Sequence, residues 1–207
     1  MAKFKKRFSR AMIYLILVIV AFISIFPCYW MLASAFNSTE QIVAGRILPS
    51  THFVENLKNL FATYPIMQGL WNSAKIAVIT VVISLLITSL AAYGFEKFGT
   101  RTSEKVYGLV LIGMMVPFSA LVVPLYKTMA TIGLTNSHWA IILPAIGSIF
   151  LLFFFRQSFK SIPNEILEAA RIDGAGELRI FFQIVFPSMR STYAAAAIYA
   201  FMTSWNN

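Results

Sequence analysis

The groups in this 207-residue chain that are able to do chemistry are few: eight Asp and Glu, two His and one Cys. Four of the acids, Glu165, Glu168, Asp173 and Glu177, crowd into the stretch from Arg156 to Arg190, beside Ala169, Ala170 and Gly174. No His/Cys group has metal-ligand spacing, no nucleophile motif appears, and no Gly-x4-Gly-Lys-Ser/Thr loop could cradle a phosphate. The sequence therefore predicts no catalytic residue and no metal site. What the stretch offers is small alanines that let another surface approach the backbone.

The elements that position this stretch follow from composition. Apolar residues make up 58% and charged residues 12%, against roughly 45–50% and about 25% in an ordinary soluble domain. Uncharged runs extend over 11–39, 76–95, 106–126, 128–155 and 191–207. A helix needs about 20 residues to cross hydrocarbon, and continuous rather than alternating apolarity argues against a β-barrel. A soluble enzyme, a disordered chain and a disulfide scaffold are excluded. The expectation is an all-α, polytopic membrane protein: a basic segment 1–10, then a single transmembrane domain 11–207. Its five spans are expected near 11–36, 76–95, 106–126, 138–155 and 190–207, with a cytoplasmic loop at 156–190.

Charge sets the expected orientation, because Lys and Arg near span ends stay cytoplasmic. Of the 17 basic residues, only Arg46, Lys58, Lys75 and Lys127 fall in the alternate segments. The rest lie in the amino-terminal segment (Lys3, Lys5, Lys6, Arg7, Arg10), the second connection and the fourth. The amino terminus is thus expected inside, with Trp30, Trp71, Trp139 and Trp205 at outer interfaces. The net charge of +9 reads as topology and attraction to anionic lipid, not as a nucleic-acid footprint. A cleaved secretory signal would need a shorter apolar core than the first run has, and Cys28 has no internal partner.

All eight acids are expected in connections, which disfavours a proton relay inside the membrane. Pro117 and Pro124 both fall in the third run, seven residues apart and so on nearly one face of a continuous helix. They are candidate pathway-lining kinks, or kinks that serve packing alone. Pro144 with Gly147 interrupts the fourth run, and Gly108 and Gly113 permit close helix contact.

In the fourth connection, Pro163 suits a first helical position with Ser161 as a nearby cap. Ile166, Ala169, Ala170 and Asp173 recur at i, i+3, i+4 and i+7. Gly174 and Gly176 can end the helix through positive φ, and a second helix starts near Glu177 and ends at Pro187. Periodicity alone leaves two readings: a docking knob, or an amphipathic helix on the headgroups.

The spacing Glu168-Ala169-Ala170, three residues, Gly174, nine residues, Ile184, one residue, Phe186-Pro187 resembles the EAA motif of ATP-binding-cassette importer permeases. Phe186 is its one departure from the usual Ile-x-Leu-Pro ending. Further stretches are similar to maltose-type sugar permeases: Phe26 to Met31, Ala91 to Phe95, Met115-Val116-Pro117, Val123 to Tyr126, Gly133 to Ser137, Phe154 to Phe159, and Trp205-Asn206-Asn207. Members of that family carry six spans, so this chain is expected to be shortened before the sixth.

The resemblance implies a non-enzymatic pathway subunit in a bacterial-type cell membrane, forming half of a route for a sugar or oligosaccharide. It also implies two ATPase subunits that bind ATP and Mg, a second homologous permease and an extracytoplasmic solute-binding protein. Within it, Glu168 and Asp173 would make polar docking contacts and Ala169 and Ala170 would pack closely. Gly174 would form the turn, and Ile184 and Pro187 would set the second helix. An ion-coupled secondary carrier and a noncatalytic membrane scaffold are the alternatives.

Overall fold

The structure is a computed structural model that describes residues 2–206, with the side chains of residues 2–6, 8 and 9 left aside. The side chains of Lys3, Lys5 and Lys6, and the resemblance at Asn207, lie outside the described residues. Every regular element among the described residues is helical, as continuous apolar runs demand where backbone groups must be satisfied within the segment.

The chain divides into two units, residues 1–69 and 70–207. In the first, α1 (Ala2–Ala35) precedes the short α2 (Thr39–Val43) and α3 (Phe53–Thr63). Ser38 caps α2 in a reciprocal box with Gln41. The segment after α1 folds back on it: Asn56 Nδ2 donates to the Ala35 and Asn37 carbonyls, and Tyr29 Oη donates to the Ile47 carbonyl. Phe36 stacks on Phe53 at 4.8 Å. The connection expected between the first two spans is thus partly helical, and it ends early, since α4 (Ile66–Lys97) already includes Trp71.

The second unit continues from α4 through α5 (Arg101–Ile112), a 3₁₀ turn (Gly113–Met115), α6 (Phe118–Thr131), α7 (Trp139–Ile146) and α8 (Ile149–Phe159). It then runs through α9 (Asn164–Ile172), α10 (Glu177–Ile180), a π-turn (Phe181–Val185), α11 (Phe186–Ser188) and α12 (Arg190–Trp205). Three stretches are long and apolar enough to cross a membrane: Arg10–Ala35, Ile66–Lys97 and Trp139–Phe159. A bent pair, α5 with its 3₁₀ turn and α6, is a fourth candidate.

That pair corrects the expected third span. Residues 106–126 are not one kinked helix, because the chain turns by 104° between Met115 and Phe118. Pro117 stands at the break, at φ −65° and ψ 137°, and Pro124 lies inside α6. Proline restricts the residue before it to extended backbone, and Val116 takes φ −81° and ψ 117°. The two prolines therefore do not share a face of a continuous helix. The fourth run is also broken: α7 ends at Gly147, and Ser148 caps α8 by accepting from the Leu151 amide. Gly113 serves close packing, since a Cβ there would meet Ile149 Cδ1 at 2.7 Å, whereas Gly108 faces open space.

The core of this unit gathers around the Lys97 end of α4. Ala92, Tyr93, Phe155, Phe159, Ile180 and Phe181 are buried together with Leu167 of α9 and Tyr193 and Ala196 of α12. The rings of Tyr93, Phe159 and Phe181 meet edge to face, a geometry that satisfies their quadrupoles and holds orientation.

Candidate functional site

The motif connection from Arg156 to Arg190 stands on this core. Its helix α9 buries one face, where Leu167 enters the core and Ala170 packs against it. The opposite face carries Glu165, Glu168, Ala169 and Ile172, spaced at i, i+3, i+4 and i+7, and all four are exposed. Ile172 is 86% exposed, unusual for a branched aliphatic residue with a core beside it. The two alanines thus separate: Ala169 is outward and Ala170 inward. Glu168 and Asp173 make no side-chain hydrogen bond or ion pair among the described residues, so their carboxylates face outward unspent.

Two expected features of the helix start are corrected. Pro163 is extended at φ −59° and ψ 133° and precedes the first helical residue, Asn164. Ser161 does not cap; its hydroxyl donates to the Ser158 carbonyl. The turn after the helix matches expectation at Gly174, which takes φ +81°, a region that costs a side chain roughly 1–2 kcal/mol. Gly176, by contrast, is extended at φ −72° and precedes α10.

A polar clamp that sequence spacing does not reveal holds the turn in place. Arg171 Nε donates to Glu177 Oε1 at 2.6 Å, and Tyr93 Oη, 84 residues away in sequence, donates to Glu177 Oε2 at 2.9 Å. The hydrogen bond from Arg171 keeps the Glu177 carboxyl below its ordinary range and raises the guanidinium above its own. Arg171 also lies 5.7 Å from the Phe98 ring centroid. Lys97 Nζ donates to the Ile162 carbonyl and Asn164 Oδ1, tying α4 to the start of α9.

Below the clamp, Arg156 joins three helices. It pairs with Glu96 of α4 at 3.1 Å and with Glu104 of α5, and its guanidinium lies 4.0 Å from the Tyr107 centroid. The Arg156 side chain is only 9% exposed. Glu96 occupies the last turn of α4, one residue beyond the expected span 76–95.

Ile184 and Pro187 sit where the second helix changes register. Proline has no amide hydrogen to give the carbonyl four residues back, and the turn preceding it, Phe181–Val185, is π-helical. Ile184 is half-buried against the core.

Away from the motif, a cavity of about 790 Å³ opens between α4, α6, α7 and α12, with Thr80, Phe118, Leu125, Pro144 and Tyr199 among its walls. Neither Pro117 nor Pro124 lines it. No group of three or more His, Cys, Asp or Glu side chains capable of holding a metal occurs among the described residues.

Several helices long and apolar enough to cross a membrane mark a polytopic membrane protein. The chain belongs to the binding-protein-dependent transport system inner membrane component family, whose model matches residues 84–207. It is 44% identical over 207 residues to the lactose transport system permease protein LacG of Rhizobium radiobacter, covering all of this chain and 76% of that one. It is 37% identical over 194 residues to the arabinooligosaccharides transport system permease protein AraQ of Halalkalibacterium halodurans, covering 91% and 69%. Its fold is similar to a chain in the crystal structure of a bacterial ABC transporter involved in import of the acidic polysaccharide alginate. That match has a TM-score of 0.86 at 22% identity, covering 98% of this chain and 72% of that one.

Proposed function

We propose that this chain is the permease subunit of an ATP-binding-cassette importer for a sugar or oligosaccharide, and that α9 is its coupling helix. The permease family and relatives that carry lactose and arabinooligosaccharides support the substrate class. One observation carries the coupling assignment: the exposed face Glu165, Glu168, Ala169 and Ile172 on a helix whose other face is fixed to the core. A docking element must present a partner-ready surface and yet not move independently of the spans. The Arg171–Glu177–Tyr93 clamp gives it that second property.

In this reading the Lys97 end faces the cytoplasm, as the excess of basic residues there favours. The protein is a multi-pass component of a bacterial-type cell membrane, with five spans, α5 and α6 together forming a broken third. Two ATPase subunits bind ATP and Mg and hydrolyse it. A second homologous permease completes the pathway, and a solute-binding protein delivers sugar outside. When the ATPases close, a force applied to α9 passes through Leu167 and the aromatic core to α4, α8 and α12. Catalysis belongs to the partners; this chain transmits motion and lines the route.

Affinity purification of the tagged chain from mild detergent, beside a Gly174→Pro variant, tests the assignment. Proline cannot adopt the positive φ that Gly174 uses. Recovery of a Walker-motif ATPase and a second permease with the parent, and loss of the ATPase with the variant while membrane insertion persists, supports the reading. Equal recovery of the ATPase with both chains overturns the role of α9.

A further inference from the structure

The way the motif connection is fastened supports an inference that rests on the importer reading and deepens it. Residues 162–188 follow α8 and precede α12 in the chain. Their apolar side chains pack against both, Phe181 on Phe159 of α8 and Phe186 on Tyr193 of α12. Apolar contacts of this kind are non-directional, whereas hydrogen bonds weaken steeply off axis. Among the described residues, every side-chain hydrogen bond that leaves 162–188 ends on α4, at sequence separations of 65, 67 and 84 residues.

The attachment has two points, one at each end of α9. At the start, Lys97 Nζ donates to the Ile162 carbonyl at 2.9 Å and to Asn164 Oδ1 at 3.0 Å, and Asn164 is the first residue of the helix. At the other end, Arg171 in the last turn donates to Glu177, which also accepts from Tyr93 Oη. A short helix fixed at one end can pivot about that point; fixed at both ends it cannot. Tyr93 and Lys97 stand at i and i+4 and so share a face of α4. Glu96, at i+3, pairs with Arg156 of α8 at 3.1 Å, so the helix that holds α9 is itself held. Neither Tyr93 nor Lys97 belongs to the EAA spacing or to the exposed face of α9.

We propose that Tyr93 and Lys97 are positioning residues of the importer: they set the pose of α9 from both ends, and α4 follows it more closely than α8 or α12, its neighbours in the chain. With either tie removed the docking face is intact and still binds the ATPase, but its displacement is no longer the displacement of α4. ATP is then hydrolysed with less sugar moved.

The test uses the complete importer in proteoliposomes and reads ATP hydrolysed per sugar taken up, with lactose and arabinobiose as probes. Tyr93→Phe keeps the ring that meets Phe159 and Phe181 and loses the hydroxyl. Lys97→Met keeps an unbranched stem and loses the donors, while Lys97→Arg keeps donors. The expected result is a ratio raised several-fold by Tyr93→Phe and by Lys97→Met, in complexes that hold the ATPase at the parent's yield, and a ratio close to the parent's with Lys97→Arg. A residue that served stability alone would lower the yield of complex, and hydrolysis and uptake would fall in proportion. That proportional fall, or the parent's ratio in both Tyr93→Phe and Lys97→Met, in an importer whose parent form couples ATP to uptake overturns the proposal and leaves the importer reading intact. A parent complex that takes up neither probe with ATP overturns both.

Discussion

The Lys97 end of the second unit and its cavity use polar groups in opposite ways. At the Lys97 end the charged groups and Tyr93 are paired across helices, Arg156 with Glu96 and Glu104, Tyr93 with Glu177, Lys97 with Ile162 and Asn164, although the Tyr107 and Tyr193 hydroxyls there have no partner. Around the cavity Ser84 and Thr203 bond within their own helix, and the buried Thr80 and Ser204 hydroxyls bond nothing. Cross-helix pairs lock elements into one arrangement, since each partner left alone and buried is expensive. Unpaired hydroxyls lock nothing. One region is held by ion pairs and hydrogen bonds between helices, the other is not.

The sharpest way to break this contrast is Arg156→Met. It strands Glu96, whose side chain is 17% exposed, and removing one partner of a buried ion pair costs about 3–5 kcal/mol. Recovery of monodisperse protein from detergent should collapse, and adding Glu96→Gln should restore part of it. Gly174→Ala comes next, at about 1–2 kcal/mol, because Cβ is strained at φ +81° although nothing crowds it. A lower thermal midpoint of the assembled importer, read by intrinsic fluorescence, checks it. Tyr93→Phe removes one hydrogen bond to a carboxylate and should cost about 1–2 kcal/mol, visible as faster amide exchange in α9 and α10.

Acid should loosen the same clamp by a smaller amount. Glu177 titrates below its ordinary value of 4.5 in the fold, so its contribution is complete above pH 4.5 and is lost as pH falls through the depressed value. Amide exchange in α9, corrected for intrinsic rate, should stay flat from pH 7 to 5 and rise only below 4.5. Solvent access to both side chains keeps the effect modest. Thr80→Val should have the least effect on stability, within about 0.5 kcal/mol of the parent or slightly stabilising, because no protein hydrogen bond is lost. A large drop in thermal midpoint there would erase the contrast between the two regions.

What could be read from sequence follows the range over which each feature is determined. The motif connection was legible because its information is local: the helix, the positive-φ Gly174 and the start at Glu177 lie within twenty residues. Its spacing also pointed to the permease family. The bend at Met115–Phe118 was legible only as prolines, because a proline marks where a helix weakens and not how far the chain turns. The partners of Arg156 lie 52 and 60 residues away, and no periodicity links them. Thr80 looked like any other threonine in an apolar run; only the paired hydroxyls of Ser84, Thr88 and Ser89 beside it make it stand out.

The π-turn at Phe181–Val185 has a mechanical consequence. A π-turn holds one residue more than an α-turn in the same length of helix, and each residue of an α-helix turns the chain by about 100°. Relaxing that surplus on one side and taking it up on the other turns everything before Phe181 relative to everything after Val185 while the rod stays continuous. The second helix therefore holds one residue of surplus between the turn at Gly174 and α12, and Phe181 and Val185, buried in the core, pin that surplus in place.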